Sequence, residues 1–310
     1  MFSVIFPGQG SQTVGMASGF YSKFDLFKKL YKEADEVLNF PLSKLILEGP
    51  KEELDLTENT QPAIFLVGYS IFQVLKQEFK IDLNRAKFFA GHSLGEYTAL
   101  ACAQSLDFAN TLKILKIRGS AMQSAVPKGE GGMLAVLGSD PETVEKIFYE
   151  NKEKYQCFIA NDNSNGQLVV SGGMEDIDKL SLDLTSKSIK NIKLSVSAPF
   201  HCNLMNKATE LMKKEIEKLE FKDFTNPLIS NVTANEIKDK YMLKDLLVQQ
   251  IESRVRWRES VLYMINNGVN QFIEIGPGKV LSGLIKRIDR NVKISAINKE
   301  EDISIVKIND

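Results

Sequence analysis

A serine inside a Gly-x-Ser-x-Gly pattern is the first candidate for chemistry. Ser93 lies in GHSLG (91–95), between a run that predicts a strand, KFFA, and one that predicts a helix, LGEYTALACAQ. A sharp strand-to-helix turn exposes a serine hydroxyl at the carboxyl edge of a sheet and points free helix N–H groups toward it. Glycines flank such a serine because a Cβ atom would clash within the turn. We therefore predict that Ser93 is a nucleophile and not merely a helix cap.

A serine nucleophile needs a base, and the chain offers two histidines. His92 adjoins Ser93, so its side chain should leave the turn in another direction, and we expect a structural residue packed behind the turn. His201 lies in SAPFH (197–201), where a returning loop could reach the same sheet edge. The pairing logic of serine enzymes favours His201 as the general base.

The sequence offers no clear acid to complete a catalytic triad. In the Ser-Asp-His order an acid would fall between Ser93 and His201. Five aspartates there belong to a segment that we interpret as an insertion, and none of them ends a strand of the main sheet: Asp140, Asp162, Asp176, Asp178 and Asp183. We therefore expect a Ser–His dyad whose imidazole is oriented by a backbone carbonyl.

Arg118 is the most informative charged residue because it lies on an apolar helix face. The predicted helix 108–126 carries an apolar stripe at helical spacing, Phe108, Leu112, Leu115, Met122 and Val126. A guanidinium on that stripe needs an anionic partner. An internal salt bridge and snorkelling past the helix end are the structural alternatives, whereas the functional interpretation is a clamp for a substrate carboxylate.

Gln9 follows the first predicted strand, in PGQG (7–10). Ligands of doubly wound folds collect at the carboxyl ends of strands. Gln9 is therefore either an ordinary turn residue or an oxyanion donor partnered by the backbone N–H of Leu94.

Along the chain, short apolar runs alternate with longer amphipathic segments. The predicted strands are Phe2–Phe6, Lys87–Ala90, Pro227–Ser230, Gln271–Ile275 and Val292–Ile297. The predicted helices are Phe24–Leu38, Pro62–Phe79, Leu94–Gln104, Phe108–Val126, Leu204–Leu219, Lys244–Ser253, Glu259–Asn267 and Val280–Ile288. Apolar strands between helices indicate an α/β fold with a parallel sheet covered on both faces.

The middle of the chain has a different rhythm, β-α-β-β-α-β, which is typical of a ferredoxin-like unit. Its predicted elements are Met133–Leu137, Pro141–Asn151, Cys157–Ala160, Gln167–Val170, Glu175–Ser186 and Ile192–Val196. We expect residues 128–197 to form a small domain inserted into a large one made of residues 1–127 and 198–310, since a unit with close surface termini is readily inserted.

Composition excludes several classes of protein. With 310 residues, 39 Lys plus Arg and 40 Asp plus Glu, the chain can bury a core and has a formal net charge of −1, which argues against general nucleic-acid binding. Cys102, Cys157 and Cys202 are too scattered for a disulfide framework or a zinc site. MFSVIF predicts a strand and not a signal peptide, and no apolar stretch approaches the ~18 residues of a membrane span. We expect a cytoplasmic protein without membrane association.

Five motifs occur together and in order: FPGQGSQ (6–12), GHSLGEY (91–97), KIRG with Arg118, PFH (199–201) and EIGPGKVL (274–281). In this combination the chain resembles the acyltransferase family of fatty acid and polyketide synthesis, including stand-alone malonyl-CoA:acyl carrier protein transacylases. The resemblance spans nearly the whole chain. It implies an α/β-hydrolase-like core with a ferredoxin-like insertion, in agreement with the pattern above.

The resemblance also implies roles for individual residues. Ser93 matches the acylated nucleophile, His201 its base, and Arg118 the partner of the malonyl carboxylate. Gln9 matches the glutamine on the oxyanion side. Gln250, in VQQIESRVRW (248–257), matches the residue whose backbone carbonyl orients the histidine.

The expected reaction transfers malonyl from malonyl-CoA to the phosphopantetheine thiol of holo acyl carrier protein, through a malonyl-serine, without a permanently bound cofactor or metal. Phe200 matches a position where synthase domains have Phe for malonyl and Ser for methylmalonyl, so malonyl selectivity is expected. Expected carrier contacts come from a basic rim, Lys187, Lys190, Lys193, Lys286 or Arg287. A monomer is expected. The alternatives are a trans-acting polyketide acyltransferase, a serine thioesterase or hydrolase, and a non-catalytic module that binds carrier protein or CoA.

Overall fold

The computed structural model describes residues 1–196 and 198–305. Its strands are β1 (Phe2–Phe6), β2 (Phe89–Gly91), β3 (Gly131–Leu137), β4 (Cys157–Ser164), β5 (Gln167–Gly173), β6 (Lys190–Lys193), β7 (Gln271–Ile275) and β8 (Lys293–Ile297). Its α-helices are α1 (Ser18–Lys23), α2 (Asp25–Leu38), α3 (Leu42–Glu48), α4 (Lys51–Leu54), α5 (Thr57–Gln77), α6 (Leu94–Cys102), α7 (Phe108–Ser124), α8 (Pro141–Glu150), α9 (Met174–Ser186), α10 (Asn206–Glu217), α11 (Leu243–Gln249), α12 (Trp257–Asn266) and α13 (Val280–Ile288).

A parallel sheet forms the centre of the larger unit, in the strand order β2-β1-β7-β8. All residues of β1, β2 and β7 are buried, as expected for strands covered by helices on both faces. The parallel core predicted from the sequence is therefore confirmed. Because β1 and β2 are neighbours and run in the same direction, the loops that follow them, with Gln9 and Ser93, meet at one sheet edge.

A separate antiparallel sheet is built by β3 to β6, in the order β4-β5-β3-β6. Its helices α8 and α9 bury Val144, Ile147, Ile177, Leu180 and Leu184 in a small core of its own. Strand β6 lies two to three residues earlier than the predicted Ile192–Val196. It pairs with β3 over Lys190–Lys193, and Leu194 adds one hydrogen bond to Met133.

One predicted strand, Pro227–Ser230, is wrong. Leu228 and Ile229 form only isolated bridges, to Phe89 and to Glu236 respectively. The apolar pair is buried, which explains the misleading pattern, but the chain turns at residues 231–234 before a ladder can extend.

Helix α5 begins five residues before the predicted start at Pro62. The first turn of the helix is held by backbone bonds from Asn59 and Thr60 to Leu56. Pro62 falls inside the helix and not at its beginning. The short helices α1, α3 and α4 were not predicted, because their apolar positions are too few to show helical periodicity.

The two sheets are joined next to the region where the motifs meet. The backbone N–H of Asp162 in β4 donates to Val255, and that of Val255 donates to Ala160. The Asp162 carboxylate also receives the Arg258 guanidinium of α12, with both oxygens 3.0 Å from Nε. Asp162 is therefore part of the junction between the sheets and lies in an ion pair rather than in a catalytic triad.

None of the helices in the described part of the chain combines the length and apolar character needed to cross a bilayer. Across residues 1–196 and 198–305, no group of three His, Cys, Asp or Glu side chains is arranged to hold a metal ion.

Candidate active site

The turn between β2 and α6 places Ser93 in a conformation that few residues adopt, with φ 52° and ψ −110°. The residues two positions before and two positions after Ser93 must be glycine for a steric reason. A Cβ on Gly91 would lie 1.9 Å from the Gly95 carbonyl, and one on Gly95 would lie 2.3 Å from the Phe6 carbonyl oxygen. Both contacts are with backbone, which cannot move aside. The Gly-x-Ser-x-Gly spacing therefore follows from how closely α6 approaches β1 and β2.

Ser93, His201 and Gln250 form one hydrogen-bonded chain. Ser93 Oγ is 2.8 Å from His201 Nε2, and His201 Nδ1 is 2.8 Å from the backbone oxygen of Gln250. A carbonyl only accepts, so Nδ1 carries the proton and Nε2 is left to accept the proton of the serine hydroxyl. The geometry is that of a nucleophile and its base, oriented by a backbone carbonyl.

The environment keeps His201 neutral. The imidazole is buried, and burial, with the positive charge of Arg118 as the second cause, lowers the pKa of His201 to about 3. An unprotonated imidazole is the form that can accept a proton from serine.

Arg118 is 1% exposed and lies beside the serine. One terminal nitrogen donates to Ser93 Oγ at 3.1 Å and to the Gln250 side-chain oxygen at 2.9 Å. The other donates to the Gln61 side-chain oxygen at 2.8 Å. These partners are neutral, and the Nε–H has no hydrogen-bond partner in the described part of the chain. The internal salt bridge considered for Arg118 is absent among the described residues.

Helix α7 can carry Arg118 to this place because Gly119 follows it. A Cβ on Gly119 would lie 2.5 Å from the Thr57 carbonyl oxygen. The missing side chain lets α7 lie directly against the start of α5, which brings Arg118 within hydrogen-bond reach of Gln61.

Glu96 is a site residue that the sequence interpretation missed. It is 2% exposed, and its Oε2 accepts from the Gln250 side-chain nitrogen at 2.6 Å and from the Asn231 backbone at 3.1 Å. Burial raises the pKa of Glu96 to about 7, against the hydrogen bonds from Gln250 and Asn231 and the charge of Arg118. A signal was present, since Glu96 is the one charged residue within the otherwise apolar stretch 94–102.

Asn231 was also missed, and it fixes the serine turn. Its side-chain nitrogen donates to the Gly91 carbonyl at 2.7 Å, and its side-chain oxygen accepts from the Ser93 backbone at 2.7 Å. The Ser93 N–H is thus occupied, and those of Gly95 and Glu96 donate to the His92 and Ser93 carbonyls. Among the described residues this leaves the Leu94 N–H at the start of α6 for a ligand. Asn231 lies 138 residues beyond Ser93, and nothing in its local sequence indicates this contact.

The serine opens into a cavity of about 300 Å³ between the two sheets. The antiparallel unit contributes apolar lining from Met133, Val169 and Leu194, and Phe200 contributes a ring that is 8% exposed. Gln9 and Leu94 lie on the wall from the parallel sheet. The Gln9 side-chain nitrogen is 3.4 Å from the Thr57 hydroxyl, a weak contact that a better acceptor could replace.

His92 is a hydrogen-bonded residue, but it lies on the cavity wall and not behind the turn. Its Nε2 is 2.8 Å from the Asn163 side-chain oxygen of β4, and its ring is 5.8 Å from the Trp257 ring. Burial lowers the pKa of His92. It therefore connects the serine turn to the antiparallel sheet and has no contact with the Ser93 hydroxyl in the hydrogen bonds of the described chain.

A serine at a strand-to-helix turn, a neutral histidine within hydrogen-bond distance and a cavity beside them form the arrangement of a serine nucleophile with its base. Residues 3–301 match the family described as the acyl transferase domain. The chain therefore belongs to the acyl transferase family.

Relatives cover almost the whole chain. It is 42% identical over 305 residues to the malonyl CoA-acyl carrier protein transacylase of Bacillus subtilis, with 97% of this chain and 94% of that protein covered. The crystal structure of acyl-carrier-protein-S-malonyltransferase from Bartonella henselae superposes with a TM-score of 0.95, 40% identity and coverage of 98% and 97%. A malonyl-transacylase in complex with a holo type II PKS acyl-carrier protein gives a TM-score of 0.94, 36% identity and coverage of 98% and 97%.

Proposed function

We propose that this protein transfers a malonyl group from malonyl-CoA to the phosphopantetheine thiol of an acyl carrier protein, through a malonyl ester of Ser93. The observation that carries the proposal is Arg118, a buried cation 3.1 Å from the nucleophile with neutral side chains as its partners among the described residues. A buried guanidinium whose direct contacts are all neutral favours a ligand that brings an anion into contact with it. The acyl group of malonyl-CoA ends in a carboxylate. The thioester carbonyl carbon lies two bonds from the carboxylate carbon, across the α-carbon.

In the first half-reaction the malonyl carboxylate binds Arg118, and Ser93 Oγ attacks the thioester carbonyl. His201 Nε2 accepts the hydroxyl proton as the new C–O bond forms. When the tetrahedral intermediate collapses, the C–S bond breaks and the imidazolium returns the proton to the leaving thiolate, so CoA departs as a thiol. The Gln250 carbonyl stabilises the imidazolium through the Nδ1–H bond.

Gln9 and the Leu94 N–H are proposed to hold the oxyanion. Both lie on the cavity wall beside Ser93, and the positive end of α6 points toward the reacting carbonyl. A donor of this kind contributes about 3–4 kcal/mol in comparable sites.

In the second half-reaction the pantetheine thiol of the carrier takes the place of CoA. His201 removes the thiol proton, the sulfur attacks the malonyl ester, and the proton returns to Ser93 Oγ as the ester bond breaks. The protein groups and the two thiols supply every proposed step, so the scheme needs no bound cofactor. Relatives named for malonyl transfer to carrier protein support this choice of substrates.

Carrier docking is proposed near the cavity mouth, on the side of α13. Arg287 is exposed and donates to the side chain of Gln167, which lines the cavity. Lys193 pairs with Asp178 and directly precedes Leu194, another lining residue. Lys187, Lys190 and Lys286 are exposed near these two positions in the chain and extend the same basic rim.

Phe200 is proposed to select malonyl over branched acyl groups, because its ring lies on the cavity wall next to His201. A methyl group on the α-carbon would crowd that ring. We predict that Phe200→Ser raises kcat/KM for methylmalonyl-CoA relative to malonyl-CoA by about tenfold, the value of one to two buried methylenes. Competition between the two thioesters measures the ratio, and an unchanged ratio would remove Phe200 from this role.

The finer description of the fold is also a proposal. We propose that residues 128–197 form a ferredoxin-like insertion in an α/β-hydrolase-like domain made of residues 1–127 and 198–310. The β-α-β-β-α-β order and the sheet order β4-β5-β3-β6 support it. Residues 306–310 and Ser197 lie outside the described residues. One chain supplies all the site residues, which supports action as a monomer. Three free, buried cysteines support a reducing, cytoplasmic location.

Two alternatives remain distinct. A polyketide-pathway acyltransferase would use the same site, and the relative in complex with a type II PKS carrier makes this a second candidate. A thioesterase would transfer the acyl group to water, but an uncharged ester substrate would bring no anionic partner for Arg118.

The test is to incubate the protein with malonyl-CoA and holo carrier protein and to follow malonyl-carrier by mass spectrometry. Ser93→Ala is the control, since it removes one atom from the site. We expect malonyl-carrier from the native protein and none from Ser93→Ala. When the carrier is omitted, the native protein should hold a malonyl adduct on the Ser93 peptide. Equal yields from the two proteins, or an adduct on another residue, would refute the proposal.

A further inference from the structure

Arg118 shares one partner with a buried carboxylate. The Gln250 side chain accepts from Arg118 through its oxygen at 2.9 Å and donates to Glu96 Oε2 through its nitrogen at 2.6 Å. The amide therefore lies between a cation and an anion, with its dipole aligned to both. Neither charged group contacts the other, so the Arg118 guanidinium keeps donors for a ligand.

We propose that Glu96 is the titrating counter-ion of Arg118: above neutral pH it is ionised in the free protein and takes up a proton from solvent when an acyl carboxylate binds Arg118. The inference rests on the proposed function and adds a specificity-determining residue to it. Glu96 acts through Gln250 and does not touch the acyl group, so it is a positioning residue.

Electroneutrality is the physical reason. Buried charges are stable when opposite charges balance them. In the free protein Arg118 and Glu96 balance each other across Gln250. When malonyl arrives, its carboxylate balances Arg118 directly and leaves Glu96 as a surplus anion. A second carboxylate in one low-dielectric site raises the pKa of the first, as in carboxylate pairs generally. Protonation of Glu96 restores the balance.

The pKa of Glu96 in the free protein is already near neutral, so an added anion can change its protonation. Burial already raises the pKa of Glu96 to about 7, and the charge of Arg118 opposes that rise. An anion bound to Arg118 offsets this opposing charge and moves the pKa upward. The linked proton is therefore taken up over the range around and above neutral pH.

Few other ionisable groups face this cluster. Arg118 of α7 is the charged one, and Tyr97 stays neutral because burial raises its pKa to about 12. His201 is neutral, with a pKa of about 3. Strands β1 and β2, which pack on α6, contain no ionisable side chain.

Helix α5 also packs on α6, but its ionisable side chains face elsewhere. Tyr69 and Lys76 influence Cys102, which lies at the far end of α6 from Glu96. Glu58 pairs with Lys116 at 4.0 Å. The titration near neutral pH is thus assigned to Glu96.

The test measures kcat/KM for self-acylation by malonyl-CoA and by acetyl-CoA across about pH 6 to pH 8.5. Acetyl lacks the carboxylate, and both thioesters share the CoA phosphates, whose second ionisation near pH 6 cancels in the ratio. We expect the malonyl-to-acetyl ratio to fall by about five- to tenfold as pH rises, since the coupling of two sites typically has that size. The ratio does not depend on how much of a variant is folded.

Two variants isolate the residue. Glu96→Gln keeps the size and an acceptor oxygen but cannot titrate, so its ratio should change less than about twofold over the same range. Glu274→Gln is the matched control. Glu274 of β7 is also buried, and its carboxylate accepts from the backbone of Leu281 and Ser282 in the first turn of α13. Its variant should keep the native pH profile.

A native ratio that is independent of pH, or a Glu96→Gln profile that follows the native one, would overturn the inference. Failure of the native protein to form a malonyl-serine would instead refute the proposed function. Should Glu96→Gln not fold, the native protein still decides the question. The heat of malonylation minus that of acetylation, in buffers of different ionisation enthalpy, should show net proton uptake, and zero uptake would contradict the inference.

Discussion

At the residue scale, the role proposed for Arg118 is what distinguishes an acyltransferase for carboxylated substrates from a general serine esterase. We predict that Arg118→Ala lowers kcat/KM for malonyl-CoA relative to acetyl-CoA roughly 30- to 150-fold, because about 2–3 kcal/mol of charge-assisted hydrogen bonding is lost. Self-acylation rates with the two thioesters measure the ratio. A variant that retains the native preference would show that the carboxylate binds elsewhere.

His201 gives a prediction about pH. Its pKa is lowered to about 3, below the ordinary histidine value near 6.5, so the imidazole stays unprotonated and competent as a base over the intervening range. Protonation, and with it loss of activity, is expected only as pH falls toward the lowered value. We predict that kcat/KM for acetyl-pantetheine, a thioester without the CoA phosphates, stays constant between about pH 5 and pH 8.

Acetyl-pantetheine is the appropriate substrate for this profile, since it has neither a carboxylate to couple with Glu96 nor the CoA phosphate that ionises near pH 6. A halving of kcat/KM near the ordinary histidine pKa would contradict the account of a buried, neutral base.

Sequence reasoning selected residues that the structure brings together where a local pattern or the residue type marks them. Ser93 is marked by its glycines, His201 by the scarcity of histidine, and Arg118 by its place on an apolar stripe. The contacts of Gln250 with Glu96 join residues 154 positions apart, and no local pattern encodes them. The backbone carbonyl of Gln250 was expected from resemblance, whereas the function of its side chain was not.

At the element scale, the turn between β2 and α6 depends on close backbone approach. We predict that Gly95→Ala destabilises the protein by about 1–3 kcal/mol or more, because the new Cβ would lie 2.3 Å from the Phe6 carbonyl oxygen. Self-acylation should fall with it, since Ser93 moves relative to His201. Chemical denaturation and acylation rates measure the two effects.

Gly283→Ala is the matched control for that substitution. Gly283 lies in α13, and nothing is within 4 Å of a Cβ built on it. The variant should be neutral or stabilised by about 0.5–1 kcal/mol through helix propensity. Equal behaviour of the two variants would contradict the steric account of the turn.

Elements with strong periodicity were predictable, and the boundaries between them were less so. The strands β1 (FSVIF) and β7 (QFIEI) match their predicted ranges, and most of their residues are apolar. The segment 227–230 (PLIS) also contains an apolar pair, yet it forms only isolated bridges. Whether an apolar run joins a ladder depends on the space that the rest of the fold leaves beside the sheet. The sequence of the run does not encode that space.

At the scale of the whole molecule, the cavity exists because the antiparallel sheet is held over the parallel one. The pair of Asp162 and Arg258 joins them, with side chains that are 1% and 24% exposed. Burial raises the pKa of Asp162 in spite of its partner, so the carboxylate depends on Arg258 for its charge. We predict that Arg258→Ala lowers the free energy of unfolding by about 3 kcal/mol.

Arg254→Ala provides the comparison. Arg254 pairs with Glu145 across the same junction, but the Arg254 side chain is 31% exposed and the Glu145 side chain is 50% exposed. Its expected loss is about 0–1 kcal/mol. Urea midpoints at constant m-value measure both variants. Equal losses would mean that the buried pair does not hold the two sheets together.

The central claim is that malonyl on Ser93 is an intermediate on the way to a carrier thiol. The most direct test isolates the malonylated protein, mixes it with holo carrier protein or with buffer, and follows loss of the adduct in a single turnover. The account predicts rapid, stoichiometric appearance of malonyl-carrier and much slower release of malonate into buffer. Loss of the adduct at the same rate with and without carrier, with free malonate as the product, would contradict it.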